Sequence, residues 1–388
     1  MSDTTLIVII LSTLICILGI IQFVYYTTIY SRIYKQKEDI KNGKVRFSSE
    51  LPPISVIVYA KEDADNTRKY LPSVLEQDYP QFEVIVINDG STDESNDLLT
   101  ILEDKYPHLY HSFTPDSSRY ISRKKLALTL GIKASKYDWL VFTDANCYPS
   151  GKDWLRTMAR NFTPGTEIVL GYSCYERINT MFNKLISFDN IFFSMRYLSF
   201  ALMGKPYMGI GKNLAYKKEL FFKMKGFSAH LNLRRGEDNL FINQIAHGKN
   251  TRVEFDEKAI IYSKNSNRAK DLREEKINYI VTSKYFRGNQ TSILGFETTT
   301  RVLFYLTILA SLIYGIAAHQ WLLVVWAVIA WTGRFIVQMK TIDRTAEALN
   351  ENRTYRFLLP LFDLLLPWQI LKGKIYCRRH SRSEFLRK

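Results

Sequence analysis

From residue 6 to residue 26 the chain runs 21 positions without a charge. As a helix that stretch crosses the hydrocarbon of a bilayer, so the fold has to hang from a membrane. A cleaved secretion signal would place a basic segment before the run and a small-residue cleavage site after it. Here Asp3 precedes it and Tyr25, Tyr26 and Tyr30 close it, which suits a permanent anchor. Two further apolar runs, 302–318 and 321–337, are joined by the uncharged His319-Gln320 and are expected to form a helical hairpin. Arg334 lies close enough to the inner end of the second to snorkel. Residues 357–370 carry Asp363 and two prolines and are expected to lie in the interface. The tail from Lys372 holds seven Lys/Arg and one acid.

Lys and Arg number 53 against 38 Asp and Glu, a formal charge of +15, which calls for an anionic partner. They cluster after the first apolar run, before the second and after the third. Anionic phospholipid accounts for that placement, and nucleic acid is not an expected partner. The positive-inside rule then puts the amino terminus outside, and residues from about 32 to 300 and the carboxyl terminus in the cytoplasm. Cys16, Cys147, Cys174 and Cys377 are scattered without metal-ligand spacing, as a reducing compartment allows.

Between the membrane segments, "ISVIVYA" (54–60) and "FEVIVIND" (82–89) are β-branched runs of the kind that form buried strands. Helical spacing over 66–77, 94–106 and 124–134 leads to another strand, "WLVFTDA". Strands alternating with helices specify a doubly wound α/β sheet, whose ligands bind beyond the carboxyl ends of the strands. Those ends are acidic: "YAKEDADN", "NDGSTDES" and "TDANC". Turn and cap chemistry explains each singly, since Asn88-Asp89-Gly90 makes a turn and Asp93 and Glu94 suit a first helical turn. At successive strand ends they converge on one cleft. Downstream, Gly209, Gly211 and Lys212 form a loop that a substrate can approach closely. Gly236, Glu237 and Asp238 open a helix, where acids also complement the dipole. Residues 178–202 carry an aromatic and apolar stripe that suits either the membrane beside a lipid acceptor or the core.

The ordered set "PPISVIVYAKED", "FEVIVINDGSTDES", "SRKKLALTLGIKASKYDWLVFTDANC", "PYMGIGKNLAYKKELFF" and "RGEDNLFINQIA" covers about residues 50–250. It resembles membrane-anchored family 2 glycosyltransferases of the bacterial polysaccharide and glycolipid branch. The resemblance implies the GT-A fold, a doubly wound mixed sheet. It implies inverting transfer of a sugar from a nucleotide-sugar donor to a lipid-linked or glycan acceptor, at the cytoplasmic face of a bacterial inner membrane. It divides the chain into an anchor (1–31), a basic linker (32–49), the glycosyltransferase domain (50–288), a membrane hairpin (289–338) and a basic cytoplasmic or interfacial end (339–388).

Residue by residue, the resemblance implies that Glu62 or Asp63, with Asp89, holds the base and ribose. Asp144 and Asn146 fall at the positions that hold the sugar nucleotide and a divalent Mg²⁺ or Mn²⁺. Lys124 and Lys125 fall near the diphosphate, Gly209, Gly211, Glu237 and Tyr279 on the acceptor side, and Asp238 at the general base. The chemistry suits these types: a carboxylate takes the acceptor hydroxyl's proton, and positive charge stabilises the departing diphosphate.

Two departures stand out. Asn146 replaces an acid, which removes roughly 1–4 kcal/mol of ion attraction at effective dielectrics of about 80 to 20. In 275–279, Asn278 and Tyr279 stand where relatives have an arginine and an aromatic ring, aligned within a residue or so. Together they raise a second expectation, a catalytically silent nucleotide-binding or scaffolding subunit of a glycan-assembly complex.

Overall fold

The computed structural model describes residues 3–115, 122–264, 269–351, 353–356 and 358–379, with only the backbone of 269–272. The last basic residues of the tail, beyond 379, and Phe357 lie outside them.

The strands in chain order are β1 Ile54–Ala60, β2 Phe82–Asn88, β3 Leu109–Phe113, β4 Trp139–Asp144 and β5 Cys147–Pro149. They are followed by β6 Ile168–Gly171, β7 Ser173–Tyr175, β8 Leu214–Lys217, β9 Thr251–Glu254 and β10 Ile261–Ser263. Seven make one sheet in the order β3-β2-β1-β4-β8-β6-β9, and β5-β10-β7 make a small second one. The first four are parallel; β1, β2 and β4 are buried on both faces in their interiors, as their continuous apolar runs require, while β3 at the edge is half open. The sheet is mixed because β8 runs antiparallel to both β4 and β6.

Register decides where the cleft lies. Ala60 pairs with Asn88 and Tyr59 with Asp144, so β1, β2 and β4 end level. Antiparallel β8 begins where β4 ends, with Leu214 opposite Phe142. The loop leading into β8, with Gly209, Gly211 and Lys212, therefore arrives at the same edge as the acids.

The helix Met181–Leu202 is capped by Thr180, whose hydroxyl accepts from the Asn183 N–H at 3.1 Å. Thirteen of its 22 residues are buried and it joins the main core, so its apolar stripe faces protein and not lipid. A π-turn, Tyr25–Ile29, carries the anchor helix Asp3–Val24 into a further helix, Arg32–Lys41, at the start of the basic linker.

Three helices are long and apolar enough to cross a membrane: the N-terminal one, Gln290–Ala317 and Trp321–Ala348. Their outward faces leave Ile20, Ile313 and Leu322 exposed. Arg334 does not snorkel, which corrects the expectation from its position. It is buried, and its guanidinium donates to Asp363 at 2.9 Å, to Gln338 at 2.9 Å and to Gln22 at 3.3 Å. Asp363 is also fully buried and takes Arg301 at 2.6 Å and Tyr305 at 2.9 Å. A guanidinium this close to a carboxylate in an apolar setting gains more by pairing than by reaching for water. Arg196 of the helix Met181–Leu202 adds a 2.9 Å bond to Glu297.

Asp363→Ala strands two buried guanidinium groups and should lower stability by about 3–5 kcal/mol. Asp343→Ala, which removes the solvent-facing partner of Arg356 at 3.0 Å, should cost no more than about 1 kcal/mol. Thermal unfolding of both variants in detergent, followed by circular dichroism, measures the difference.

Candidate functional site

At the end of β4, Asp144 accepts from the Lys124 ammonium at 2.9 Å. Lys124 comes from the helix Arg123–Ala134 and also lies over the Tyr59 ring, 4.7 Å from its centre. Burial opposes its charge, but Asp144 and then Glu237 outweigh that and hold it above the ordinary lysine range. The Tyr59 hydroxyl donates to Asp89 at 2.7 Å, and burial followed by that carboxylate pushes the phenol up.

Asp89 is buried behind this wall. Besides Tyr59 it accepts from Thr114 at 2.9 Å and Arg123 at 2.7 Å. Its carboxylate thus fixes Tyr59 and does not itself line the cleft. Asp63 does line it and takes a hydrogen bond from Asn66. Glu62 is exposed with φ +44°, and its N–H donates to Ser91 at 2.7 Å. The Ala64 N–H donates to Asp93 at 3.0 Å, so the loops after β1 and β2 are laced together.

Lys125 requires a correction. One residue along the same helix it points about 100° away, where its ammonium donates to the carbonyls of His230 at 2.6 Å and Leu233 at 2.7 Å. Burial lowers it to about 8. It braces the loop ahead of Glu237 and Asp238 and makes no wall of the cleft.

That loop turns at Gly236, whose φ of +103° favours glycine. Glu237 is buried with one carboxylate oxygen unpartnered. Burial pushes its carboxyl up, against the pull of Lys124. Asp238 accepts the Gly211 N–H at 2.9 Å and the Asn239 N–H at 2.6 Å, which fixes both oxygens. Gly209 is tightly seated: a Cβ there would come within 3.0 Å of Leu170. Lys212 pairs with Glu275 at 3.3 Å and sits 4.9 Å from the centre of the Tyr175 ring. Tyr279 meets Phe193 edge to face at 5.0 Å.

These groups line one cavity of about 1210 Å³. It gathers Asp63, Lys124, Asp144, Asn146, Gly209, Gly211, Glu237, Asp238 and Tyr279, and leaves out Glu62, Asp89 and Lys125. Its far end is walled by Thr291, Leu294 and Thr298 of the helix Gln290–Ala317, and by Leu366, Ile370 and Ile375 of the helix Leu359–Arg379. Lys212 of the glycine-bearing loop faces it, as do Lys61 and Arg235, which the sequence did not single out as site residues. Lys61 and Arg235 lie inside quoted motifs, each next to an acidic stretch, and a basic residue beside such acids is the signal that would have found them.

A divalent cation wants about six or more oxygen ligands. At the end of β4 the chain offers one carboxylate, Asp144, already paired with an ammonium, and the uncharged amide of Asn146, so substrate phosphates and water would have to supply nearly all the ligands. Among the described residues no group of three His, Cys, Asp or Glu stands close enough to hold a metal ion. The donor set does not fit a resident divalent ion.

Residues 55–224 match the family described as glycosyl transferase family 2. The chain carries a family 2 glycosyltransferase domain. The uncharacterized glycosyltransferase YibD of Escherichia coli (strain K12) is 30% identical over 108 residues, 27% of this chain and 30% of that protein. The probable glycosyltransferase YdaM of Bacillus subtilis (strain 168) is 24% identical over 216 residues, 53% of this chain and 48% of that one. The matched regions span less than half the length of these two curated relatives. The mannosyltransferase PcManGT from Pyrobaculum calidifontis, solved with GDP-Man and Mn²⁺, superposes with a TM-score of 0.55 at 17% identity. That superposition covers 88% of this chain and 98% of the other. At such identity it establishes a shared GT-A fold around the family 2 domain.

The bracing loop carries a pH signature. Burial, then the Lys125 charge, pushes His230 down to about 4 from an ordinary 6.5. As pH falls through that window the unfolded chain takes up the proton before the folded one, so stability drops from about pH 6.5 towards 4. His230→Gln should flatten this part of the profile, and melting temperatures of both proteins across that range test it.

Proposed function

We propose that the chain is an inverting glycosyltransferase that moves a sugar from a nucleotide donor to a lipid-linked acceptor at the membrane face. The carrying observation is the single cavity that joins Asp144 and Asp238 to the helix Gln290–Ala317. An acceptor reaching Asp238 through its far end passes Leu294, Leu366 and Ile370, which suit a hydrocarbon tail better than a free glycan. Three helices apolar enough to cross a membrane agree with that supply route.

The sugar nucleotide lies along the carboxyl edge of the sheet, its nucleoside towards Asp63 and Tyr59 and its diphosphate towards Lys124 and Asp144. Asp89 acts through Tyr59. The acceptor oxygen attacks the anomeric carbon as the bond to the diphosphate breaks, and Asp238 takes the acceptor's proton. One displacement inverts the configuration and needs no enzyme nucleophile. The N–H groups of Gly211 and Asn239 hold the Asp238 carboxylate in a single orientation. Tyr279 and Glu237 shape the acceptor side.

By the positive-inside rule the amino terminus lies outside, and the domain 50–288 and the carboxyl end lie in the cytoplasm of a bacterial cell. The helices Gln290–Ala317 and Leu359–Arg379 complete the acceptor wall.

Asp238→Asn should slow transfer of a radiolabelled sugar into organic-extractable product by about 10²–10⁴-fold. Nucleotide affinity should change by less than about threefold, since the base touches the acceptor and not the nucleotide. The assay uses the full chain in vesicles of its host's lipids, with UDP- and GDP-sugars. Nucleotide binding with no transfer to any lipid fraction would favour the silent subunit of an assembly complex, which Asn146 and Asn278 recommend.

A further inference from the structure

Resting on the donor site just described, we propose that lysines of the chain, Lys124 foremost and Lys212 second, neutralise the donor's diphosphate in place of a divalent cation. Asp144 then serves as a positioning residue that aims Lys124, and Asn146 is the substitution that makes the exchange work.

The charges around the strand ends carry this. Lys124 stands 2.9 Å from Asp144 at the end of β4, and both side chains are partly open to the cleft. An ammonium has three donors on a flexible stem, so one hydrogen bond to Asp144 leaves capacity for phosphate oxygens. Tyr59 supports it from beneath, and Asp89 fixes Tyr59 in turn. Lys212 follows Gly211, whose N–H holds Asp238, so the loop that orients the carboxylate also brings a cation to the cavity, held by Glu275 at 3.3 Å.

The cavity lining carries nine Lys and Arg against seven Asp and Glu. Around the strand ends Lys61, Lys124, Lys212 and Arg235 match Asp63, Asp144, Glu237 and Asp238, so no surplus of acid is left to draw in a dication. An aspartate at 146 would restore an acid pair. With asparagine there, the carboxylate that remains is matched by one lysine, and a dication entering would have to displace that lysine.

The experiment is calorimetric titration of the full chain in detergent with UDP and with GDP, in EDTA and in excess Mn²⁺. The expected result is one nucleotide whose Kd agrees within about twofold in the two conditions and rises roughly tenfold or more in Lys124→Met. Asn146→Asp should acquire Mn²⁺-dependent tightening of roughly tenfold. This second variant leaves Lys124 in place and keeps the test decisive should Lys124→Met fail to fold. Wild-type binding that weakens roughly tenfold or more in EDTA overturns the lysine proposal and leaves the donor site standing. An Asn146→Asp protein indifferent to Mn²⁺ also overturns it. Failure of the folded wild-type chain to bind either nucleotide in either condition overturns the donor site itself, and this inference with it.

Discussion

Asp363 sits where no carboxylate belongs unless it is matched. It has no exposure to solvent, and two guanidinium groups lie within 2.9 Å of it. Desolvating three charges is costly, and Coulomb attraction recovers that cost only when the geometry is held. The network also reaches Gln22 of the anchor helix, Glu297 of the helix Gln290–Ala317 and Arg196 of the α/β domain. Five helices thus meet at one buried cluster. The helix carrying Asp363 is also the wall of the cavity that includes Leu366, Ile370 and Ile375. Loosen the ion pairs, and the surface facing Asp238 from the membrane side loses its position.

The sheet imposes a second constraint on the same cavity. Parallel strands deliver only their following loops to the carboxyl edge, which accounts for Asp63, the loop of Asp89, and Asp144. A group that must face them from the opposite side has to come from elsewhere. Inserting β8 antiparallel solves this, because the loop preceding it arrives at that edge and brings the Gly211 N–H to Asp238. Lys125 then clamps two carbonyls of the loop that leads to Glu237 and Asp238. Asp238 is thereby fixed from two directions without a side-chain partner of its own sign or the opposite one at hydrogen-bonding distance among the described residues.

Much of this was legible because burial leaves a pattern. β1, β2 and β4 read directly from β-branched runs, and the acids ending them are local to those runs. The three membrane-length helices read from apolar length alone. What depended on orientation or on distant pairing was not legible. Lys124 and Lys125 are neighbours with the same chemistry, and only helix phase against the sheet sends one to the cleft and the other to His230. Asp89 has the composition of a ligand, yet Thr114 and Arg123 engage it before a ligand can. Arg334 looked like a residue reaching for the interface, because its partner Asp363 lies in another helix. The stripe in Met181–Leu202 was ambiguous for a related reason: a helix apolar on most sides suits a core as well as a membrane. In the helix Gln290–Ala317, Thr291, Thr298 and Thr299 formed a polar line in an apolar helix, and the structure sets that line along the cavity.

One helix joins the two ends of the cavity. In Ala269–Ser283, Glu275 pairs with Lys212 at 3.3 Å, beside the loop that holds Asp238. Its neighbour Lys276 pairs with Asp189 at 3.0 Å and also bonds Gln369 of the C-terminal helix. Adjacent residues of a helix diverge by about 100°, so this element holds the strand-edge loop with one side chain and the membrane-side wall with the next. Neither pair is fully buried, unlike the Asp363 cluster. The rigid charges therefore set where the walls stand, and the pairs on this helix tie the strand-edge loop to the C-terminal helix.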